Sequence, residues 1–326
     1  MKILVTGGAG YIGSFMVKRL LKDKHEVTVL DSLEKGYRDK VDSQAKLVEG
    51  NILDESFLSD LFQKETFDGI IHFAGYISMG ESMEVPGKYF QNNSFGSLRL
   101  LEHAAKNKIR FFIFSSTAGV YGNPVKVPID EDHPKNPTNP YGMSKLMVEQ
   151  MLAWYQKTFG LSFASLRYFN AAGAAPDVSL GENHNPETHI IPNAIRAVLS
   201  GSNFNLFGQD YKTADGTCIR DYIHVIDLVE AHALAMEKLQ KESGGYYYNV
   251  GTGKGYSNKE VLSMVEKVTG RKLNIEMKAR RPGDAESLIA DPTKIMKELG
   301  FSPAYSDLET IVKTAWEWHK NQVDEK

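Results

Sequence analysis

Gly7, Gly10 and Gly13 stand three residues apart in Thr6-Gly7-Gly8-Ala9-Gly10-Tyr11-Ile12-Gly13. This stretch follows the apolar run 3–6 and opens the helical pattern 11–22. A strand must turn tightly into a helix here. The glycines let backbone N–H groups approach a pyrophosphate, and the helix N-terminus adds a partial positive charge. Asp31 lies 18 residues beyond Gly13, at the end of the next apolar run. A carboxylate there suits the two hydroxyls of an adenosine ribose and repels a 2′-phosphate, which selects NAD over NADP.

The same alternation continues. Runs at 3–6, 26–31, 46–49, 68–73, 111–115 and 162–168 predict strands, and 11–22, 54–64, 86–107 and 141–159 predict helices. The near-continuous apolar run 109–114 predicts a strand covered on both faces. Together they predict an α/β fold, a Rossmann-like doubly wound parallel sheet over residues 1–169, with ligands at the carboxyl ends of its strands. Beyond residue 169 the alternation weakens. Residues 171–185 read as loop, 188–199, 226–239, 257–269, 291–299 and 307–320 as helices, and 246–250 as a strand. This predicts a smaller mixed α/β region over 170–326 that binds substrate, with later segments returning to the first region and a ligand cleft between them.

Composition narrows the partners. A net charge of −3 gives no basic field for nucleic acid or an anionic membrane, and no apolar run approaches the roughly 20 residues of a membrane span. Cys218 is the sole cysteine. That excludes an internal disulfide and a cysteine-based metal site, so no metal is expected and a cytoplasmic location is.

The chemistry gathers at strand ends. Phe73-Ala74-Gly75 closes the fourth strand with small residues, and Asn51 and Ile52 follow the third. Ser115-Ser116-Thr117 ends the buried fifth strand, where a hydroxyl serves either a reacting alcohol or a capped turn. Tyr141 and Lys145, four residues apart, share one helix face. A phenol titrates near ~10, and a nearby ammonium favours its phenolate. Beside a dinucleotide, that pair is an acid/base apparatus for oxidising an alcohol.

The stretches 6–13, His72-Phe73-Ala74-Gly75, 115–122, 141–145, Arg167-Tyr168-Phe169-Asn170, Arg220-Asp221-Tyr222-Ile223-His224-Val225 and Arg280-Arg281-Pro282-Gly283-Asp284, together with Asp31, resemble the extended short-chain dehydrogenase/reductase family over nearly the whole chain. The resemblance implies a nucleotide-sugar enzyme of that family. Its substrate is a UDP-sugar, its NAD stays bound, and C4 is inverted through a 4-keto intermediate. UDP-glucose and UDP-galactose are the implied pair, with N-acetylated UDP-hexoses beside them. Tyr141 takes the position of the base, Lys145 that of its partner, and Thr117 that of the catalytic hydroxyl. Tyr11, Ile12, Asp31, Asn51, Ile52, Phe73, Asn92 and Phe169 fall on cofactor positions. Asn170, Arg220, Arg281 and Asp284 fall on nucleotide-sugar contacts, with His189, Asn205, Leu206 and Phe207 beside them. A guanidinium binds diphosphate oxygens bidentately, which suits the two arginines. A homodimer through helices 86–107 and 141–159 is implied as well.

Three departures stand out: Asn51 replaces Asp, Ile77 replaces a lysine that meets cofactor phosphates in some relatives, and Leu288 replaces a bulky Tyr that gates the sugar pocket in others. Leucine leaves room for an N-acetyl sugar. The rival 4,6-dehydratase chemistry needs an acid/base pair after the hydroxyl, where this chain has Ala118 and Gly119. A different nucleotide-sugar epimerase remains an alternative. A non-catalytic dinucleotide sensor would have no need of Thr117, Tyr141 and Lys145 together.

Overall fold

A computed structural model describes residues 1–280 and 284–324. The first region contains β1 (Lys2–Thr6), α1 (Tyr11–Lys22), β2 (Glu26–Asp31), β3 (Lys46–Glu49), α2 (Glu55–Lys64), β4 (Gly69–His72), α3 (Met79–Glu84), α4 (Pro86–Tyr89), α5 (Gly96–Lys106), β5 (Phe111–Thr117), α6 (Pro140–Phe159) and β6 (Ser162–Tyr168). There follow β7 (Asn170–Ala172), α7 (Ile190–Ser200), β8 (Asn203–Phe207), β9 (Ile219–His224), α8 (Val225–Lys241), β10 (Gly245–Val250) and β11 (Gly255–Ser257). The last elements are α9 (Asn258–Thr269), β12 (Asn274–Lys278), β13 (Ser287–Leu288), α10 (Thr293–Leu299) and α11 (Leu308–Asp324).

Seven strands form a parallel sheet in the order β10-β6-β5-β4-β1-β2-β3. Strand residues alternate between its faces. Ile3, Val5, Val27, Val29, Ile71 and Ile113 join Phe15, Met16 and Leu20 of α1 and Leu228, Ala231 and Ala235 of α8 in one core. Leu4, Leu30, Ile70, Phe112 and Phe114 join residues of α2, α5 and α6 in the other. A sheet sandwiched this way is apolar on both faces, which is why central strands such as β1 and β5 contain continuous apolar runs. The strand order reverses between β1 and β4, where Thr6 and His72 are in register. The crevice beyond those two carboxyl ends is the place a doubly wound sheet offers a ligand.

The remaining strands make a four-stranded sheet, with β9 pairing β7, β11 and β13, and a two-stranded one, β8 with β12. A third core lies here, between α7, α9, α11, β8 and Tyr222. Late segments return to the large sheet: β10 pairs with β6, and α8 supplies one of its two cores.

Local differences from the sequence reading have physical causes. The helix expected over 86–107 is broken into α4, a π-helical turn at Phe90–Phe95 and α5. The strand expected over 111–115 runs on to Thr117, because Ser115, Ser116 and Thr117 all pair with β6. The loop expected over 171–185 starts inside β7. The short strands of the second region have too few residues for a period to show, and β12 is exposed along its whole length.

Candidate active site

The first turn of α6 is set by three residues. Pro140 stands at its start, Asn139 accepts a hydrogen bond from Gly142 N at 2.9 Å, and Gly142 packs against the turn after β5. A Cβ on Gly142 would lie 2.5 Å from Gly119 O. Only a residue without a side chain allows that approach, which brings Tyr141 beside Thr117. Thr117 Oγ1 accepts from Gly119 N at 3.0 Å, which caps the turn, and its hydroxyl also interacts with the Tyr141 phenol.

Lys145, one turn later, is buried. Its Nζ donates to Ser115 O at 2.9 Å and stands 4.9 Å from the centre of the Phe114 ring. Burial lowers Lys145 to about 7. Burial also pushes the Tyr141 phenol up, while Thr117 works the other way. For the phenol, burial outweighs the lowering influence of its neighbour Thr117. In a site this dry the uncharged forms are favoured, and Lys145 carries its charge only part of the time at neutral pH. The ring of Tyr89 meets Tyr141 edge-on at 6.4 Å, and Ser115 Oγ hydrogen-bonds the Tyr168 hydroxyl.

The glycine loop lies across the sheet crevice from these residues. α1 begins after Gly10 with no side-chain cap and no acidic residue in its first turn, so the N–H groups around Tyr11, Ile12 and Gly13 suit an anion. A Cβ on Gly13 would stand 2.1 Å from Gly7 O, and one on Gly7 would stand 2.6 Å from Ala74 N. Gly7 also has φ +71, in the left-handed region. Asp31 is buried and accepts from Ala9 N and from Leu33 N, each at 2.9 Å. Burial pushes its carboxyl above the usual range, and those two amides oppose the rise. An uncapped helix start, a floor of glycine backbone and a fixed acid at the end of β2 fit an NAD dinucleotide.

Other expected cofactor residues surround this floor. Asn51 is exposed and its Oδ1 accepts from Leu53 N at 2.9 Å, whereas Ile52 is buried against Gly96. The Phe73 ring lies 4.9 Å from that of His232. A Cβ on Gly75 would stand 3.4 Å from Lys145 Nζ. Asn92 sits in the π-helical turn, where its Nδ2 donates to Asn93 Oδ1 at 3.0 Å.

Asn93 itself is a residue the sequence reading missed. Its amide bridges Tyr76 N and Tyr76 O, both at 2.9 Å, and reaches Ser144 Oγ of α6 at 3.2 Å. A polar residue within a long helical pattern gives no such signal.

In the second region Asn170 donates to Asp221 O at 2.9 Å, and Arg220 Nη2 lies 3.7 Å from Asp284 Oδ1. Arg281 lies outside the described residues. Leu206 is 2% exposed and packs in the core, so its side chain does not meet a ligand; Asn205 and Phe207 flank it on β8. His189 Nδ1 is engaged by Glu182. Leu288 pairs with Arg220 across β13 and β9, and it joins Phe169 and Leu146 around Ala118, Val120 and Tyr121. Leu288 and the residue after Thr117 are thus in one apolar cluster.

The chain is similar to known proteins over nearly its whole length. A profile of the NAD dependent epimerase/dehydratase family matches residues 3–251. The chain is 48% identical over 326 residues to the UDP-glucose 4-epimerase of Lacticaseibacillus casei, covering 99% of this chain and 98% of that one. It superposes on the UDP-glucose 4-epimerase of Brucella ovis solved with NAD, with a TM-score of 0.93, 44% identity and 97% of each chain covered. It also superposes on the UDP-Glc/GlcNAc 4-epimerase of Campylobacter jejuni, with a TM-score of 0.86, 40% identity, and 98% and 99% covered.

Proposed function

The chain belongs to the NAD dependent epimerase/dehydratase family, and from that premise we propose that it interconverts UDP-glucose and UDP-galactose through a 4-keto sugar. The observation that carries the reading is the buried group of Thr117, Tyr141 and Lys145 at the carboxyl end of β5, with Lys145 Nζ close to Gly75 at the end of β4. Tyr141 takes the proton of the sugar 4-hydroxyl and later gives it back. Thr117 holds that hydroxyl against the phenol, and Lys145, anchored on Ser115 O, fixes the ribose side of the site. When bound, oxidised NAD would supply the hydride acceptor for C4 and a ring charge that favours the phenolate. Gly7, Gly10, Gly13 and Asp31 hold the dinucleotide, and Asn170, Arg220 and Asp284 hold the nucleotide end of the substrate while the sugar turns. Ala118 and Gly119 carry no proton, so the keto sugar does not go on to elimination.

The test is purified protein given UDP-galactose, with the product identified. UDP-glucose is expected without added NAD; none forming would overturn the reading. Tyr141→Phe is expected to lower kcat by roughly 10²–10⁴-fold with NAD still bound, and an unchanged rate would remove Tyr141 from the role of base.

A second substrate class is favoured by Leu288. Its leucine side chain, beside Ala118 and Phe169, leaves more room than a tyrosine would. UDP-N-acetylhexosamines are therefore substrates too. Leu288→Tyr should suppress their turnover and spare UDP-galactose; equal turnover of both sugars before and after would deny Leu288 that part.

We read the working form as a homodimer in the cytoplasm. Met143, Met147 and Trp154 of α6 are exposed at 39%, 38% and 64%. They recur along one side of the helix, as a covered surface requires. Cys218 as the only cysteine agrees with a reducing compartment. No helix among the described residues is long and apolar enough to cross a membrane.

A further inference from the structure

The segment between β7 and α7 contains Glu182-Asn183-His184-Asn185-Pro186-Glu187-Thr188-His189. Glu182, His184 and Glu187 have no part in the chemistry above. The chain nevertheless curls so that one donor atom from each of Glu182, His184, Glu187 and His189 lies within 4.8 Å of the other three. His184 Nδ1 is 3.0 Å from Glu182 Oε1 and 3.7 Å from Glu187 Oε1. His189 Nδ1 contacts the same Glu182 oxygen and is 3.9 Å from Glu187 Oε1. Around a tetrahedral zinc with bonds of ~2.0–2.1 Å, neighbouring donors stand ~3.3–3.4 Å apart, so these separations bracket such a shell.

The carboxylates are the second observation. Their side chains are only 4% and 2% exposed. Glu187 Oε1 is held by Thr188 N at 2.8 Å and His189 N at 3.0 Å, yet its Oε2 is buried with no hydrogen-bond partner. Arg196 Nη2 forms an ion pair with that oxygen at 3.7 Å, on the side away from the histidines' contacts with Oε1 and too far for a hydrogen bond. Two adjacent buried carboxylates with an unpartnered oxygen are costly unless positive charge lies between them.

We propose that Glu182, His184, Glu187 and His189 form a divalent-cation site of the zinc class that fixes the segment leading into α7. Two imidazoles and two carboxylates are a donor set zinc accepts, and it needs no cysteine. The place suits a structural ion. The His184 ring lies edge-on to Tyr11 at 6.2 Å, at the head of α1. Glu182 O accepts from Trp318 Nε1 of α11 at 3.1 Å. His189 precedes α7 directly and gives it no side-chain cap. One ion would thus tie together the phosphate-loop helix, α7 and α11.

The experiment uses the untagged full chain, stripped with a chelator and titrated with zinc and, separately, with cobalt(II). Retention of about one zinc per chain after gel filtration is expected, and cobalt should give the intense visible absorption of a tetrahedral site. Glu182→Gln/His184→Gln should weaken zinc binding by more than about 100-fold, since loss of outer partners alone costs 10–100-fold. No retained zinc, a cobalt spectrum like that of the aqueous ion, or equal affinity in a folded double variant would overturn the site and leave a His–Glu ion-pair network. If the double variant fails to fold, the cobalt spectrum of the unaltered chain decides.

Discussion

At the scale of single residues, Lys145 has the clearest measurable signature. Its folded value is about 7, against an ordinary 10.5. Between those values the unfolded chain binds a proton that the folded one does not. The contribution of Lys145 to stability therefore rises with pH from about 7 to about 10.5 and is flat below about 7. In NAD-free protein, urea unfolding at pH 7 and pH 9 should show the unaltered chain gaining ~2 kcal/mol relative to Lys145→Met. A pH-independent difference would mean that the amine titrates normally. What was legible at this scale depended on distance along the chain. The glycine loop and Asp31 are local patterns, and Tyr141 and Lys145 lie one helical turn apart. Asn93 was not legible, because its partners Tyr76 and Ser144 come from distant segments. The effect of burial on the Tyr141 phenol was not legible for a related reason: a neighbouring amine can be read from spacing, but the loss of water around both groups cannot.

Between elements, a buried ion pair joins α6 to the sheet beneath it. Arg167 of β6 donates to Glu149 of α6 through Nε at 2.9 Å and Nη2 at 2.7 Å, with both side chains 3% exposed. Ser116 Oγ and Ser165 Oγ donate to the same Glu149 Oε1 at 2.6 and 2.9 Å, and Arg167 Nη1 reaches the Tyr121 hydroxyl at 2.9 Å. Glu149→Ala leaves that guanidinium buried without its partner and should cost about 3–5 kcal/mol. Glu149→Leu/Arg167→Met should cost less than the single change, because no charge is stranded. The urea midpoint checks both, and a harmless Glu149→Ala would show that the pair is dispensable. Helices and sheet strands were legible where their period ran for several turns or pairs. The π-helical turn at Phe90–Phe95 shifts the register inside an otherwise continuous helical pattern, and nothing in the apolar spacing marks it.

For the whole molecule, assembly is the open quantity. If α6 meets a second copy, Met147→Glu/Trp154→Glu should bring the sedimenting mass down from that of two chains to that of one. A monomeric unaltered chain would refute the dimer. The architecture of the large sheet was readable because its central strands, such as β1 and β5, are buried apolar runs. The second region was not, since its strands are short and partly exposed and its order depends on pairing across long separations, as between Asn170 and Tyr222. One consequence of that long-range pairing concerns synthesis. The outermost strand beside β6 is β10, made of residues 245–250, and α8 just before it covers one face of the sheet. A ribosome that has released only the first 169 residues has made six strands whose last edge is bare and whose face beside α1 is uncovered. Such a nascent chain presents the kind of open strand that recruits other chains. Thr117, Tyr141 and Lys145 are therefore all translated well before the fold that buries them can close.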